Sequence, residues 1–392
     1  MTNTIKPVAF YFPQYHVIPE NDAWWGNGFT DWVNVRRARP LFRGHYQPRE
    51  PLNDNYYDLS KTDIIEWQVD LARAHGLYGF CHYHYWFDGN QLLETPTDHF
   101  LTARRLDFKF CLAWANETWS RRWDGQDYHI LQLQTHKPCK ELWGRHFDYL
   151  IKFWTDERAI TINGKPIFVI YRPIKVLEIE NMFDYWQTRA RSYGLDGICF
   201  LAMKQAQFQN PPCLKYFDGI IQFQPFVAMY GANNNKKKWR RFVRRFLPHK
   251  VSKYADELYI DYKNRYGKVQ FYDYDTVWAQ IIKDSRNADD TVYPGAFIDW
   301  DNTARYGKRA KVFRGACPEK FEYWLHQLVQ ALDDRQDREN IIFINAWNEW
   351  AESTYLEPDK RHGFGYLEAI RNVLEAHGAT EPARMVNRVL QP

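Results

Sequence analysis

Short apolar runs recur along the chain, and most are separated by longer stretches that carry helical apolar spacing. Runs of this length, bounded by turn residues, read as buried strands. On that reading strands lie at Val8–Pro13, Tyr78–Trp86, Phe108–Asn116, Pro166–Tyr171, Gly197–Met203, Gly219–Pro225, Tyr293–Asp301 and Ile341–Glu349. Helices are predicted over Asp63–His75, Gln91–Arg105, Lys140–Thr155, Ile174–Tyr193, Thr276–Asp284 and Pro318–Asp333. In the first of these, Ile64, Ile65, Trp67, Gln68 and Leu71 fall at roughly helical spacing, and Gly76 supplies the stop. Eight strands alternating with helices predict an α/β protein with a parallel sheet, closed as a (β/α)8 TIM-type barrel rather than left open. An open doubly wound sheet is the alternative, but its glycine-rich dinucleotide signature is missing after the first strand.

Two segments exceed a minimal barrel, at about 17–60 after strand one and 226–290 after strand six. Both leave the C-terminal ends of strands, so both are expected to overhang the mouth of the barrel. Residues 1–392 are read as a single catalytic barrel domain with these two insertions.

Composition narrows the class. Lys and Arg total 52 against 48 Asp and Glu, so the net charge of +4 does not imply a nucleic-acid partner. Aromatic residues make up 18% of a chain whose mean hydropathy is −0.63, more rings than a core requires. Six scattered cysteines without a C-x-x-C pair read as buried free thiols. The start of the chain lacks an apolar signal core, and no run approaches the ~18 residues needed to span a bilayer. A soluble cytoplasmic protein is expected.

The chemistry of a barrel sits at the C-terminal ends of its strands. Strand one ends in Tyr11, Gln14 and His16, strand two in His82, His84 and Trp86, and strand three in Trp114, Asn116, Glu117 and Trp119. Strand four gives Tyr171 and Arg172, strand six Gln222 and Gln224, and strand seven Asp299 and Asp301. Strand eight ends in NAWNEWAESTYLEPD, which holds Asn345, Trp347, Asn348, Glu349, Glu352 and Tyr355. If Glu349 ends its strand and the chain then turns, both glutamates can face one cavity at the ~5 to 9 Å separation used in glycoside chemistry. One acid kept protonated by apolar neighbours can donate to a leaving oxygen while its ionised partner acts as base or nucleophile. The plainer reading is that the two glutamates cap a helix or pair with nearby arginines.

Other motifs have competing readings. His82 and His84 share a strand face, a spacing known from metal sites, but sugar hydrogen bonding or barrel packing is the preferred reading, and no metal or other cofactor is expected. The D-x-D of Asp299 and Asp301 matches metal-dependent nucleotide-sugar transferases, and Glu117 is either a third functional acid or a salt-bridge partner of Arg121 or Arg122. Trp24, Trp25, Trp32, Trp119 and Trp123 lie in loops, where indole faces can stack on pyranose rings or form a small core of their own. The run KKKWRRFVRRFL, 236–247, has the pattern of a helix lying on an anionic membrane, or of a solvated helix whose apolar side packs on the barrel.

The blocks AFYFPQYHVIPEND, GFTDWVNV, PLFRGHYQP, GFCHYHYWF, FCLAWANETWSRRWDG, FIDWDNTARYG and NAWNEWAESTYLEPD together resemble the WbsX-type family. Its members are usually described as glycosyltransferases or lipopolysaccharide-biosynthesis proteins, and it is related to glycoside hydrolase family 99. The likeness runs from Val8 to about Leu367 and implies a (β/α)8 barrel. In family 99 endo-α-mannosidases the corresponding block reads N-E-W-H-E-G-T, so the resemblance implies Glu349 as base and Glu352 as general acid. It also implies retention of configuration through a 1,2-epoxide, which suits a 2-hydroxyl trans to the leaving group, as in an α-mannoside or α-rhamnoside. Ala351 stands where those hydrolases carry His, and Ser353 where Gly is usual.

Three functions follow as expectations. The first is an endo-glycosidase or transglycosidase acting on a cell-surface polysaccharide or its lipid-linked precursor. The second is a nucleotide-sugar-dependent glycosyltransferase of O-antigen or capsule assembly. The third is a non-catalytic glycan-binding barrel. The expected partner is a glycan or lipid-linked oligosaccharide, with peripheral contact at the inner membrane face through 236–247.

Overall fold

The computed structural model describes residues 5–121, 126–204, 211–231, 267–333 and 340–378. Its core is a ring of parallel strands: β1 (Ile5–Tyr11), β2 (Gly79–Phe87), β3 (Lys109–Trp114), β4 (Lys165–Ile170), β5 (Cys199–Lys204), β6 (Gly219–Gln222), β7 in two pieces (Val292–Tyr293 and Gly295–Phe297), and β8 (Asn340–Asn345). The pairing order is the first piece of β7, then β6 back through β1, then β8 and the second piece of β7. The two ends of that order belong to one strand interrupted at Pro294, so β7 closes the ring. Gly295 sits at the closure, where a Cβ would lie 1.9 Å from the Gln222 carbonyl oxygen and only glycine lets the strands meet.

The strands are buried on both faces, as a parallel sheet wrapped in helices requires. All nine residues of β2 are buried. The helix Lys140–Trp154 turns Trp143, Phe147, Leu150, Ile151 and Trp154 inward at i, i+3/i+4 and i+7 spacing. The helix Thr62–Ala74 buries Ile65, Gln68, Val69, Leu71 and Ala72 and stops before Gly76, whose φ of 81° favours glycine. Helices Tyr274–Arg286 and Pro318–Asp333 lie where the sequence predicts helix, and Gly365–Ala376 adds one that the sequence reading missed.

Two predictions are corrected, and two features are added to them. The stretch 91–105 splits into a short strand Asn90–Leu92, paired back on β2, and a shorter helix Thr95–Thr102. The eighth strand stops at Asn345, not Glu349, and residues 348–349 instead pair antiparallel with 354–355. The first long loop contains the helices Pro19–Trp25 and Asp31–Arg37, and a hairpin of Trp119–Arg121 with Gln126–Gln132 follows β3. The basic run 236–247 and Trp123 lie outside the described residues. Among the described residues no helix is long and apolar enough to cross a membrane.

Candidate active site

The loop after β8 is held by the end of β1. Asn348 Nδ2 donates to the Phe12 carbonyl at 3.0 Å, and its Oδ1 accepts from Phe12 N at 2.8 Å. Trp347 N donates to the Phe10 carbonyl at 2.7 Å. Tyr15 Oη donates to the Asn348 carbonyl at 2.8 Å and accepts from Trp350 N at 3.1 Å, so one buried hydroxyl spans the turn that carries Glu349. Beneath it, Glu357 accepts from Trp350 Nε1 (2.7 Å), Tyr57 Oη (2.8 Å) and Gln68 Nε2 (2.7 Å). Burial pushes the Glu357 carboxyl up to about 7 against the pull of those donors.

On this turn Glu349 and Glu352 meet one cation. Arg305 Nη2 lies 3.2 Å from Glu349 Oε2 and 2.7 Å from Asp31 Oδ2, while Nη1 lies 2.9 Å from Glu352 Oε1. Three acids share one buried guanidinium. Burial pushes both glutamates up, Glu349 well above the usual carboxylate range; Arg305 opposes the rise and Asp31 adds to it. The pair therefore titrates as a unit that keeps a proton beyond the ordinary range of either acid. Glu352 stays 18% exposed along its side chain, against 10% for Glu349, so it presents the more accessible oxygen.

Both glutamates open on a cleft of about 290 Å3 at the C-terminal end of the barrel. Its walls include the aromatic rings of Trp25, Tyr83, Tyr85, Trp119, Tyr171, Phe223, Phe226, Trp300 and Tyr306, with Gln14, Asn21, Glu117, Arg172 and Asn345 among the polar groups. Of the residues expected from sequence, the structure brings together Gln14, Trp25, Glu117, Trp119, Tyr171, Asn345, Glu349 and Glu352. Glu117 pairs with Arg172 at 2.7 Å, and Arg122 lies outside the described residues.

The remaining candidates lie elsewhere. His82 packs between Tyr11 and Phe100, and His84 Nε2 faces His146 Nε2 at 2.9 Å, both beneath the helices outside the ring. Burial lowers each of the two histidines to about 3, so both stay neutral. Trp86 stacks on His146 and accepts at its carbonyl from Trp114 Nε1. Tyr11 donates to Gln68, His16 is held by the Pro13 carbonyl, and Asn116 ties the end of β3 to Arg172. Trp347 packs against Phe80, Tyr355 donates to Asp359 and stacks on Trp350, and Gln222 is buried. Asp299 is taken by Arg49 at 2.7 Å, and Asp301 accepts from His45, Gln47 and Thr303. Trp32 belongs to a small core with Tyr15, Tyr57 and Trp350.

Strand parity accounts for several of the misplacements. Side chains alternate across a strand. On β2 the histidines fall on the helix side, and it is Tyr83 and Tyr85 that reach the cleft. Near the end of β6 the same parity brings Phe223 to the cleft rather than Gln222. Arg305, the residue that pairs both acids, follows the seventh strand four residues beyond Asp301, in a stretch where the sequence reading points only to the D-x-D acids.

A parallel barrel that gathers buried carboxylates and indoles at the C-terminal ends of its strands has the build of a carbohydrate-active enzyme. The chain belongs to the family described as Glycosyltransferase WbsX, whose sequence profile matches residues 7–370. It is 35% identical over 371 residues to "Uncharacterized protein WxcX" of Xanthomonas campestris pv. campestris strain B100, and 34% identical over 371 residues to the protein of the same description in strain ATCC 33913. Those alignments cover 94% of this chain and 49% of each relative, so the chain spans about half the length of the curated relatives it matches. Among solved structures, it is similar to a GH99 endo-α-mannosidase from Bacteroides thetaiotaomicron, with a TM-score of 0.52 and 13% identity over 95% of this chain and 97% of that one. A structure described as "Glycoside hydrolase-like protein" gives a TM-score of 0.53 and 12% identity over 95% and 94%. These likenesses establish the fold.

Proposed function

We propose that the chain is one catalytic barrel domain that breaks or transfers glycosidic bonds with Glu349 and Glu352. The observation that carries the reading is that both carboxylates, although paired with Arg305 as the plainer reading of the sequence expects, line one aromatic cleft. Rings in the walls suit the C–H faces of pyranoses, and a buried acid pair that shares a proton suits acid–base work on an acetal. In this reading the proton the pair shares passes to the leaving oxygen from Glu352, the more exposed acid, and Glu349, which burial raises the more, must be ionised to act as base. Glu349 takes the proton of the sugar's 2-hydroxyl, whose oxygen closes on the anomeric carbon as a 1,2-epoxide. An incoming hydroxyl then opens the epoxide at the anomeric carbon; Glu352 takes that proton back and Glu349 returns its own to the 2-oxygen. Configuration is retained, and water gives hydrolysis where a sugar hydroxyl gives transfer. The substrate is an α-mannoside or α-rhamnoside of a cell-surface polysaccharide or its lipid-linked precursor.

A second reading, a transferase drawing on a nucleotide sugar, is favoured by the printed description of the family. A mass-spectrometric screen separates the two. Wild type and Glu352→Gln are incubated with α-mannosyl and α-rhamnosyl oligosaccharides, with and without sugar nucleotides. Products formed without nucleotide and lost in the variant support the first reading, and products that require a nucleotide support the second.

A further inference from the structure

Two buried polar groups on residues that line the cleft have no hydrogen-bond partner among the described residues. Asn21, on the helix Pro19–Trp25, is fully buried yet lines the cleft with Glu349 and Glu352. Neither its Oδ1 nor its Nδ2 has a hydrogen-bond partner among the described residues. Trp300 lines the same cleft from the chain after β7, packed edge-on to Phe226 at 4.7 Å, and its Nε1 likewise has no partner among the described residues.

Leaving such groups unpaired is costly, and most buried amides in a folded protein are satisfied. Two amides close to the site follow that rule, both side-chain atoms of Asn348 being engaged by Phe12 and both of Asn116 by the Arg172 backbone, whereas Asn34 Oδ1 and Gln224 Nε2 each lack a partner among the described residues while the other atom of their amide is paired. Asn21 differs in lining the cleft with both its donor and its acceptor unpaired among the described residues. A carboxamide of that kind matches two neighbouring hydroxyls of a sugar, one giving a hydrogen bond and the other receiving one. Trp25 and Trp119, cleft residues near it, supply ring faces for the same sugar. Trp300 stands on a different wall, and an indole N–H donates only.

We infer that Asn21 is a substrate-recognition residue that reads a pair of adjacent hydroxyls on one sugar, while Trp300 Nε1 donates to an oxygen of a second sugar unit. The inference rests on the glycan-active reading and deepens it: the cleft takes at least a disaccharide and selects on one of its diols.

Binding is measured by NMR titration on Glu352→Gln protein, so that turnover does not intervene. The probes are methyl α-mannopyranoside, methyl α-rhamnopyranoside, their singly deoxygenated analogues and methyl α-mannobioside. Asn21→Leu is expected to weaken the parent monosaccharide roughly tenfold, the worth of one ordinary hydrogen bond. Each analogue that lacks one of the two contacted hydroxyls should narrow the gap between the two proteins, and analogues deoxygenated elsewhere should leave it unchanged. Melting temperature should hold or rise, because the variant replaces an unpaired buried amide by an apolar group of similar shape. Trp300→Phe should weaken the disaccharide and spare the monosaccharides. Equal sugar binding with a lowered melting temperature in Asn21→Leu would overturn the inference and make Asn21 a structural amide. Should the leucine variant not fold, Asn21→Ala and Asn21→Ser carry the same comparison. Failure of every probe to bind with Asn21 in place would instead bring down the glycan reading itself.

Discussion

Arg305 holds Glu349 and Glu352 on the two nitrogens of one guanidinium, with Asp31 fixed to the same Nη2 at 2.7 Å. The bridge sets the spacing of the two acids, and it opposes the rise that burial imposes on both. Arg305→Gln should therefore push the titration of the pair further up and move any pH optimum upward. It also strands Asp31, which is fully buried, and breaking a buried pair of this kind costs about 3–5 kcal/mol. Arg305→Gln with Asp31→Asn should recover much of that stability and none of the turnover. Chemical denaturation beside a pH–rate profile separates the two effects; a single variant with wild-type stability would show that the bridge contributes nothing.

Glu357 gives a pH dependence of definite sign. Its folded value of about 7 lies above the ordinary glutamate value of about 4.3. Its neutral form therefore supports the fold at low pH, and that support is lost as pH rises through about 7. Glu357→Gln, which cannot ionise, should show a shallower fall in melting temperature between roughly pH 5 and 8 than wild type. At low pH the variant should be the weaker by about 1–2 kcal/mol, since the Gln amide adds a donor where Trp350, Tyr57 and Gln68 already donate. Parallel melting curves for the two proteins would reject the assignment.

Ser353 occupies a left-handed conformation, φ 56°, where glycine would sit without cost. Its hydroxyl offsets the strain by donating to the Asp301 carbonyl at 2.9 Å and accepting from Gln47 at 3.1 Å. Ser353→Gly trades strain for bonds and should stay within about 1 kcal/mol of wild type, whereas Ser353→Ala keeps the strain, loses the bonds and should cost about 1–2 kcal/mol. Urea denaturation of both variants measures the difference, and equal stability would show that the two contacts carry no weight.

The barrel was legible because burial on both faces writes strands as dense apolar runs, and the amphipathic stretches between them keep a helical period. The acids were legible because Glu349 and Glu352 follow the last such run. Strand parity was not. His82, His84 and Trp86 stand at the correct end of β2, but a dense run of buried residues hides which side chains face the cleft, and Tyr83 and Tyr85 proved to be those. Arg305 and Asn21 were missed for a different reason. Arg305 acts through contacts made in three dimensions, the place of Asn21 on the cleft wall is likewise set by the fold, and the local sequence around each reads as an ordinary short helix.

The Asn348 latch divides labour within the site. It anchors the acids to the frame through β1, while the rings that would meet a sugar arrive on separate segments after β1, β3, β6 and β7. In the proposed reading, substitutions at the rings themselves would change which glycan is accepted while the Asn348 latch stays intact, whereas Arg305 and Asp31, which ride on the same segments after β7 and β1, tie those segments back to the acids.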